Sequence, residues 1–248
     1  MASFLMIHGA WHGGWAFDRL RPMIEAAGHA MAAPDLPGMG ARPAVLGAVT
    51  LEGWADFIAA QARALAPPVI LCGHSRGGIV VSTAAERAPE AFAALVYIAA
   101  FLNPDGRSLD DMAAAMPRDP LFEAGLSPVG HGAGLRLAPE SAVHAFYGCC
   151  MPHDQQASAA RLVAEPLRPF GTPVRVSDAR FGRLPRHYVE CLHDRTIPIA
   201  HQRAMQAALP CASVTTLASD HSPFLSAPGP LADALLSIAD TLTDRRER

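Results

Sequence analysis

Apolar positions along the chain follow two alternating patterns. Unbroken runs of about 4 to 8 apolar or β-branched residues, bounded by Gly, Pro, Asp or Asn, occupy residues 3–7, 29–33, 69–72, 94–99, 187–192 and 213–217, and they predict parallel strands covered on both faces. Stretches with helical spacing lie between them. The clearest begins at Thr50, a candidate N-cap, and sets Leu51, Trp54, Ile58, Ala62 and Leu65 on one face before Pro67 and Pro68 end it. Others cover residues 16–27, 79–87, 199–209 and 230–242. Strands alternating with helices predict an α/β fold around a mostly parallel sheet.

The alternation stops across residues 104–181. The β-type runs vanish there, and turn formers crowd into residues 125–134, Gly-Leu-Ser-Pro-Val-Gly-His-Gly-Ala-Gly. A structureless loop of that length is improbable inside a compact domain. The pattern therefore predicts a partly helical lid, residues 104–181, inserted into one core domain formed by residues 1–103 and 182–248.

Composition narrows the partners. The 248 residues are 50% hydrophobic and 17% charged, with a net charge of -3, and every one of the 20 basic residues is arginine. Without lysine there is no Schiff base, no lysine general base and no P-loop lysine. Without a positive field, nucleic acid and anionic membrane are not expected partners. No apolar run approaches the roughly 18 residues of a membrane span. Residues 3–7 read as a strand with no basic leader before them, so no signal peptide is expected. Five cysteines, odd in number and without CxxC spacing, read as reduced thiols of a cytoplasmic protein.

Candidate chemistry centres on Gly73-His74-Ser75-Arg76-Gly77, a G-x-S-x-G pentapeptide between the run at 69–72 and the helical pattern from Ile79. A sharp strand-to-helix turn pushes a serine hydroxyl out at the end of a sheet, and Ser75 is the candidate nucleophile. A serine needs a base, and the base needs an orienting acid. His221, after the last expected strand, is the candidate base. Asp194, at the end of the preceding strand, is the candidate acid; Asp220 is its rival, but adjacent residues at a strand end point in opposite directions, and Asp178 precedes its strand. His8 and His74 flank glycine turns and are expected to bond backbone. His187, His193 and Cys191 share a strand face, but without a carboxylate they make no metal site. The residues whose N–H groups would meet an oxyanion are Arg76, after the nucleophile, and Ala10, in the glycine-rich loop after the first strand.

The stretches His8-Gly9-Ala10-Trp11-His12-Gly13-Gly14-Trp15, Gly28-His29, Gly73-His74-Ser75, Asp178-Ala179-Arg180-Phe181-Gly182, Ile197-Pro198 and Asp220-His221-Ser222-Pro223-Phe224-Leu225 resemble the α/β-hydrolase branch that contains plant methylesterases and hydroxynitrile lyases. The resemblance runs over nearly the whole chain. It implies the α/β-hydrolase fold, a Ser75–His221–Asp194 triad, oxyanion donors at Ala10 and Arg76, and no cofactor; it also admits a homodimer. Lyases of the branch carry a threonine in the oxyanion loop and a lysine after the histidine, where this chain has Ala10 and Ser222. The expected function is therefore a serine carboxylesterase for small or aromatic esters, methyl esters among them. A carbon–carbon lyase and a non-catalytic small-molecule receptor are the alternatives. Trp11, His74, Phe122, Phe146, Tyr147 and Phe224, with Leu121, are the expected substrate pocket. Arg76 stands where the family usually has an apolar residue. It either turns back to pair with an acid, Glu86 or one in the lid, or favours an anionic substrate.

Overall fold

Six parallel strands form the central sheet of the computed structural model, which describes residues 1–39 and 43–244. In chain order they are β1 (Ser3–Ile7), β2 (Ala30–Ala32), β3 (Val69–His74), β4 (Ala94–Ile98), β8 (Arg186–Cys191) and β9 (Ser213–Leu217), arranged β2-β1-β3-β4-β8-β9. The register sets Ser3 beside both Ala30 and Val69, Ile70 beside Ala94, Leu95 beside Arg186 and His187 beside Ser213. Every residue of β1, β3 and β4 is buried, whereas edge strands β2 and β9 are partly exposed. The continuous apolar runs have this cause: alternate residues of one strand serve two cores. Leu5, Ile7, Leu71, Leu95 and Tyr97 face one layer of helices, and Phe4, Met6, Ile70, Cys72 and Val96 face the other.

The helices follow local signals. Thr50 Oγ1 accepts the Gly53 N–H at 3.0 Å and starts Leu51–Arg63, whose buried face is Leu51, Trp54, Ile58 and Ala62. Helices Gly77–Arg87, Ile199–Ala208 and Pro228–Asp244 lie close to the expected spans. The stretch expected as one helix over residues 16–27 is instead divided. A 3-10 turn, Gly14–Phe17, precedes a helix over Arg21–Ala26, because Pro22 lacks an N–H and suits only a first helical turn.

Between β4 and β8 the structure corrects the sequence reading. That segment carries helices, Pro139–Phe146 and Pro152–Ala159 the longest, but it also holds a three-stranded antiparallel sheet of β5 (Leu126–Val129), β6 (Gly134–Leu137) and β7 (Glu165–Pro166). The turn formers at 130–132 are the tip of the β5–β6 hairpin: Gly130, His131 and Gly132 all have positive φ, between 55° and 87°. Strands of two to four residues are too short to show an alternating pattern. They are held by side chains from elsewhere, in a third apolar cluster that joins Leu137, Ala142, Phe146 and Tyr147 to Ala10 and Trp11 of the loop after β1.

No helix among the described residues is long and apolar enough to cross a membrane.

The start of helix Gly77–Arg87 is pressed against the backbone that follows β4. A Cβ added at Gly78 would lie 2.2 Å from the Phe101 carbonyl oxygen, a backbone atom with no rotamer to give. Gly78→Ala is expected to cost about 1–3 kcal/mol or more through forced backbone shifts. Urea unfolding measures it, and an unchanged midpoint would mean that the turn has slack.

Candidate active site

Ser75 is the residue after β3, and its φ of 53° puts it in the left-handed region. Its N–H donates to the Ile98 carbonyl at 3.3 Å, and its own carbonyl accepts from Gly78 and Phe101, each at 3.0 Å. The turn is thus pinned to the end of β4 and to the new helix, and the side chain is left free to project. His221 comes from the loop after β9, with Nε2 2.9 Å from Ser75 Oγ and Nδ1 2.8 Å from Asp194 Oδ2. Asp194 lies in the turn after β8. Its Oδ1 accepts the N–H groups of Thr196 and Ile197 at 2.8 and 2.9 Å, and its Oδ2 also accepts from Gln202 Nε2 at 3.2 Å. A carboxylate held this way accepts a hydrogen bond from Nδ1–H, which keeps the proton on that nitrogen and leaves Nε2 as the acceptor for the serine hydroxyl. All three side chains are buried.

Asp220 faces away from the ring. Its Oδ2 accepts the Cys149 N–H at 2.7 Å, and its Oδ1 accepts from the Ser222 N–H and the Ser226 hydroxyl at 3.0 and 2.7 Å. It ties the His221 loop to the segment between β4 and β8.

The loop after β1 closes on the elbow: a Cβ at Gly9 would lie 2.8 Å from His74 Nδ1 and 3.0 Å from Ser75 Cβ. Ala10 and Arg76 both line the cavity that holds Ser75, and among the described residues neither backbone N–H has an acceptor. Trp11, next in the loop, has a φ of 60°. Three buried imidazoles fix the surrounding backbone. His8 Nδ1 donates to Gly9 O at 2.9 Å, His12 Nδ1 to Ala10 O at 2.7 Å, and His74 Nε2 to His221 O at 2.7 Å.

The Arg76 side chain is 1% exposed, lies 4.4 Å from the centre of the Trp54 ring, and turns back to an acid. The acid is Glu165 of β7, whose Oε1 accepts from Arg76 Nε at 3.0 Å. It is not Glu86, which instead accepts from the Ser177 N–H and hydroxyl, both at 2.8 Å. Glu165 was not legible in the sequence, being 89 positions from Arg76 in a strand of two residues.

The cavity over Ser75 has a volume of about 530 Å³. Trp11, Phe122 and Phe146 line it, joined by Phe101, Leu109, Leu126, Leu135 and Phe170, which the sequence did not single out. His74 also lines it, but its Nε2 is committed to the His221 backbone. Two expected pocket residues are corrected. Tyr147 is fully buried beneath the cavity, its hydroxyl donating to His12 Nε2 at 2.7 Å, and Phe224 packs edge-on against His74 and Phe17 inside the core. Leu121 is 60% exposed and lies outside the lining. His187 bonds Ser213 Oγ through Nδ1 at 2.7 Å, and no cluster of three or more His, Cys, Asp or Glu able to hold a metal occurs among the described residues.

The sequence profile of the alpha/beta hydrolase family matches residues 4–234, and the chain belongs to that family. Over 100% of its length it is 31% identical to a pyrethroid hydrolase from Sphingobium wenxiniae, of which 91% is covered. Salicylic acid-binding protein 2 from Nicotiana tabacum is 30% identical over 95% of this chain and 96% of its own. A crystal structure of a pyrethroid hydrolase matches 98% of this chain and 99% of its own at 30% identity, with a TM-score of 0.83. Polyneuridine aldehyde esterase, at 24% identity over 96% of this chain and 99% of its own, shares the fold with a TM-score of 0.85.

Burial is the largest cause that brings His12 from 6.5 down to about 4, and it likewise holds His8 and His74 well below the usual imidazole range. These rings stay neutral in the folded chain at pH values where the unfolded chain takes up protons. Stability is therefore full above about pH 6.5 and falls below it by about 1.4 kcal/mol per pH unit for each such ring, until the folded-state ring itself protonates. Thermal unfolding between about pH 7 and pH 5 should show a falling Tm, with a shallower fall in His12→Gln. A flat profile, or an unchanged slope in the variant, would contradict the neutral-ring assignment.

Proposed function

We propose that this chain is a serine carboxylesterase in which Ser75 is the nucleophile, His221 the general base and acid, and Asp194 the orienting carboxylate. The observation that carries this reading is the relay of 2.9 and 2.8 Å contacts from Ser75 through His221 to Asp194 at the floor of an apolar cavity. His221 Nε2 takes the hydroxyl proton as Ser75 Oγ attacks the ester carbonyl, and Asp194 stabilises the imidazolium. The carbonyl oxygen turns its developing charge toward the N–H groups of Ala10 and Arg76, a contribution typically worth about 10²–10³ in rate per donor. The intermediate collapses as His221 returns the proton to the departing alcohol. Water, deprotonated by the same nitrogen, then attacks the acyl group on Ser75, and His221 returns that proton to Ser75 Oγ as the acid leaves.

The substrate follows from the walls. A 530 Å³ cavity lined by Trp11, Phe122, Phe146 and Phe170 accommodates an apolar ester with an aromatic or branched group. The names of relatives, a pyrethroid hydrolase and a methylesterase, support ester hydrolysis as the reaction. A carbon–carbon lyase is disfavoured because the chain has no lysine to hold a cyanide leaving group and has Ser222 after His221. All five cysteines are unpaired, which supports a reducing, cytoplasmic setting.

Turnover of p-nitrophenyl butyrate should be lost in Ser75→Ala and fall about 10⁴-fold in Asp194→Asn, while Asp220→Asn stays within about tenfold of wild type. Equal activity of wild type and Ser75→Ala would remove the esterase reading. A larger loss in Asp220→Asn than in Asp194→Asn would reassign the acid.

A second expectation concerns the cavity. Phe146→Ala, which opens the wall beside His221 (ring centroids 5.5 Å apart), should raise KM for an aryl ester more than for p-nitrophenyl acetate. Steady-state kinetics on the two esters decide it, since equal changes would place the aryl group elsewhere.

A further inference from the structure

Arg76 brings a charge into the core immediately after the nucleophile, and besides a long contact of Nη2 with Met39 Sδ it makes two hydrogen bonds that converge on the loop after β1 and on the carboxylate that holds it. Nη2 donates to the Gly9 carbonyl at 3.0 Å, while Nε donates to Glu165 Oε1 at 3.0 Å. The Gly9 carbonyl belongs to the same peptide unit as the Ala10 N–H. Drawing electron density toward that oxygen makes the Ala10 N–H a stronger donor, because hydrogen-bonded amides polarise one another and a charged partner does so most. His8 donates to the same carbonyl from its other side, at 2.9 Å.

Glu165 acts on the following peptide. Its Oε2 accepts the Trp11 N–H at 2.9 Å, and the carbonyl of that same peptide unit, Ala10 O, accepts from His12 Nδ1 at 2.7 Å. The Ala10–Trp11 peptide is therefore clamped at both ends, which fixes a loop whose Trp11 has a φ of 60°. One carboxylate, on the two-residue strand β7, thus meets both segments that carry the oxyanion donors: the guanidinium of Arg76 and the loop of Ala10.

We propose that Arg76 and Glu165 are positioning residues of the oxyanion hole. The Arg76 guanidinium polarises the Gly9–Ala10 peptide whose N–H faces the oxyanion, and Glu165 neutralises that guanidinium and fixes the next peptide, so that the hole is complete only with β7 seated. This rests on the serine-esterase reading above. Both Glu165 oxygens accept, and a glutamine has one acceptor oxygen, so no neutral isostere serves both partners. The role adds no proton transfer, since the guanidinium stays protonated throughout.

The test uses the full chain and the double variant Arg76→Met/Glu165→Gln, which keeps the backbone N–H at 76 and leaves no unpaired buried charge. Three quantities are read: kcat and KM on p-nitrophenyl butyrate, inhibition by an apolar aryl trifluoromethyl ketone, and inhibition by the alcohol made by reducing that ketone. The ketone adds to Ser75 and leaves a charged oxygen in the hole, whereas the alcohol cannot. The expected result is a kcat lower by about 10- to 100-fold, KM within about threefold, ketone binding weakened by the same factor as kcat, and alcohol binding unchanged. A kcat within about threefold of wild type, or a lowered kcat with unchanged ketone binding, overturns the proposal.

Should the double variant fail to fold, Arg76→Lys replaces it. An ammonium on a flexible stem lacks the fork that reaches Gly9 O and Glu165 together, so kcat and ketone binding should fall together by about three- to tenfold, and a wild-type kcat overturns the proposal. The parent reading fails separately. A wild-type chain that neither hydrolyses the ester nor is labelled at Ser75 by a fluorophosphonate overturns esterase and positioning roles together. A labelled, active wild type with unaltered variants overturns the positioning role alone.

Discussion

The left-handed backbone at Ser75, with its φ of 53°, is the constraint on which the rest of the site depends. For a residue with a side chain that conformation costs about 1–2 kcal/mol, so it persists only where the surroundings over-determine it. Here the N–H of Ser75 is tied to Ile98 at the end of β4, and its carbonyl to Gly78 and Phe101. The strain is thereby shared between two strand ends and a helix start. Because the sheet is parallel, β3, β8 and β9 finish on the same rim, and that rim is where Ser75, Asp194 and His221 are found. Loops from separate strand ends can then bring a serine, a histidine and an aspartate within hydrogen-bond distance of one another, as ligand sites in open α/β sheets generally form outside the carboxyl ends of the strands.

Closing an apolar cavity over that rim removes water from every polar group beneath it. An amide or imidazole buried without a partner costs about 1–3 kcal/mol by mutational measures, which favours partners within the protein. His8 and His12 meet this demand at both ring nitrogens, donating to the Gly9 and Ala10 carbonyls and accepting from the Leu36 N–H and the Tyr147 hydroxyl, whereas His74 meets it at Nε2 alone, on the His221 carbonyl, its Nδ1 being buried without a partner among the described residues. Their donors go to the loops that carry Ala10 and His221. The bonds that satisfy these ring nitrogens also fix the loops, and Tyr147, donating to His12 Nε2, extends the set into the segment between β4 and β8.

Much of this was legible because burial on both faces leaves a mark in sequence. β1, β3 and β4 read as unbroken apolar runs, and the alternation of side chains at a strand end is enough to set Asp194, and not Asp220, toward the His221 ring; Asp194 bonds His221, and Asp220 bonds Cys149 and Ser226. Direction was illegible where no period constrains it. Tyr147 and Phe224 are aromatic and near the site, yet both point into the core, because an aromatic in a one-turn helix, as Phe224 is, or at a helix end, as Tyr147 is, carries no periodic signal of which side it faces. The β5–β7 sheet was hidden for a related reason: its pairing depends on Leu135, Leu137 and Trp11 meeting in space, and Trp11 is more than a hundred residues away, its Nε1 donating to the Leu135 carbonyl. Glu165, the residue that joins that sheet to the elbow, lay beyond any local rule.

A buried ion pair is a poor explanation for stability, since well-packed apolar residues of the same volume often do as well or better. Burial pushes Glu165 up and Arg76 down from their ordinary values, and mutual attraction opposes both shifts. What apolar residues could not supply is direction. A guanidinium is planar, stacks on an aromatic face, and holds its donors at fixed angles, so that with Trp54 below it one Arg76 side chain serves Gly9 and Glu165 at once. A flexible ammonium would give up that geometry. In a chain without lysine, the buried cation beside Ser75 is thus of the kind that orients peptides and cannot exchange protons at neutral pH, and the side chain that meets the Ser75 hydroxyl is the imidazole of His221.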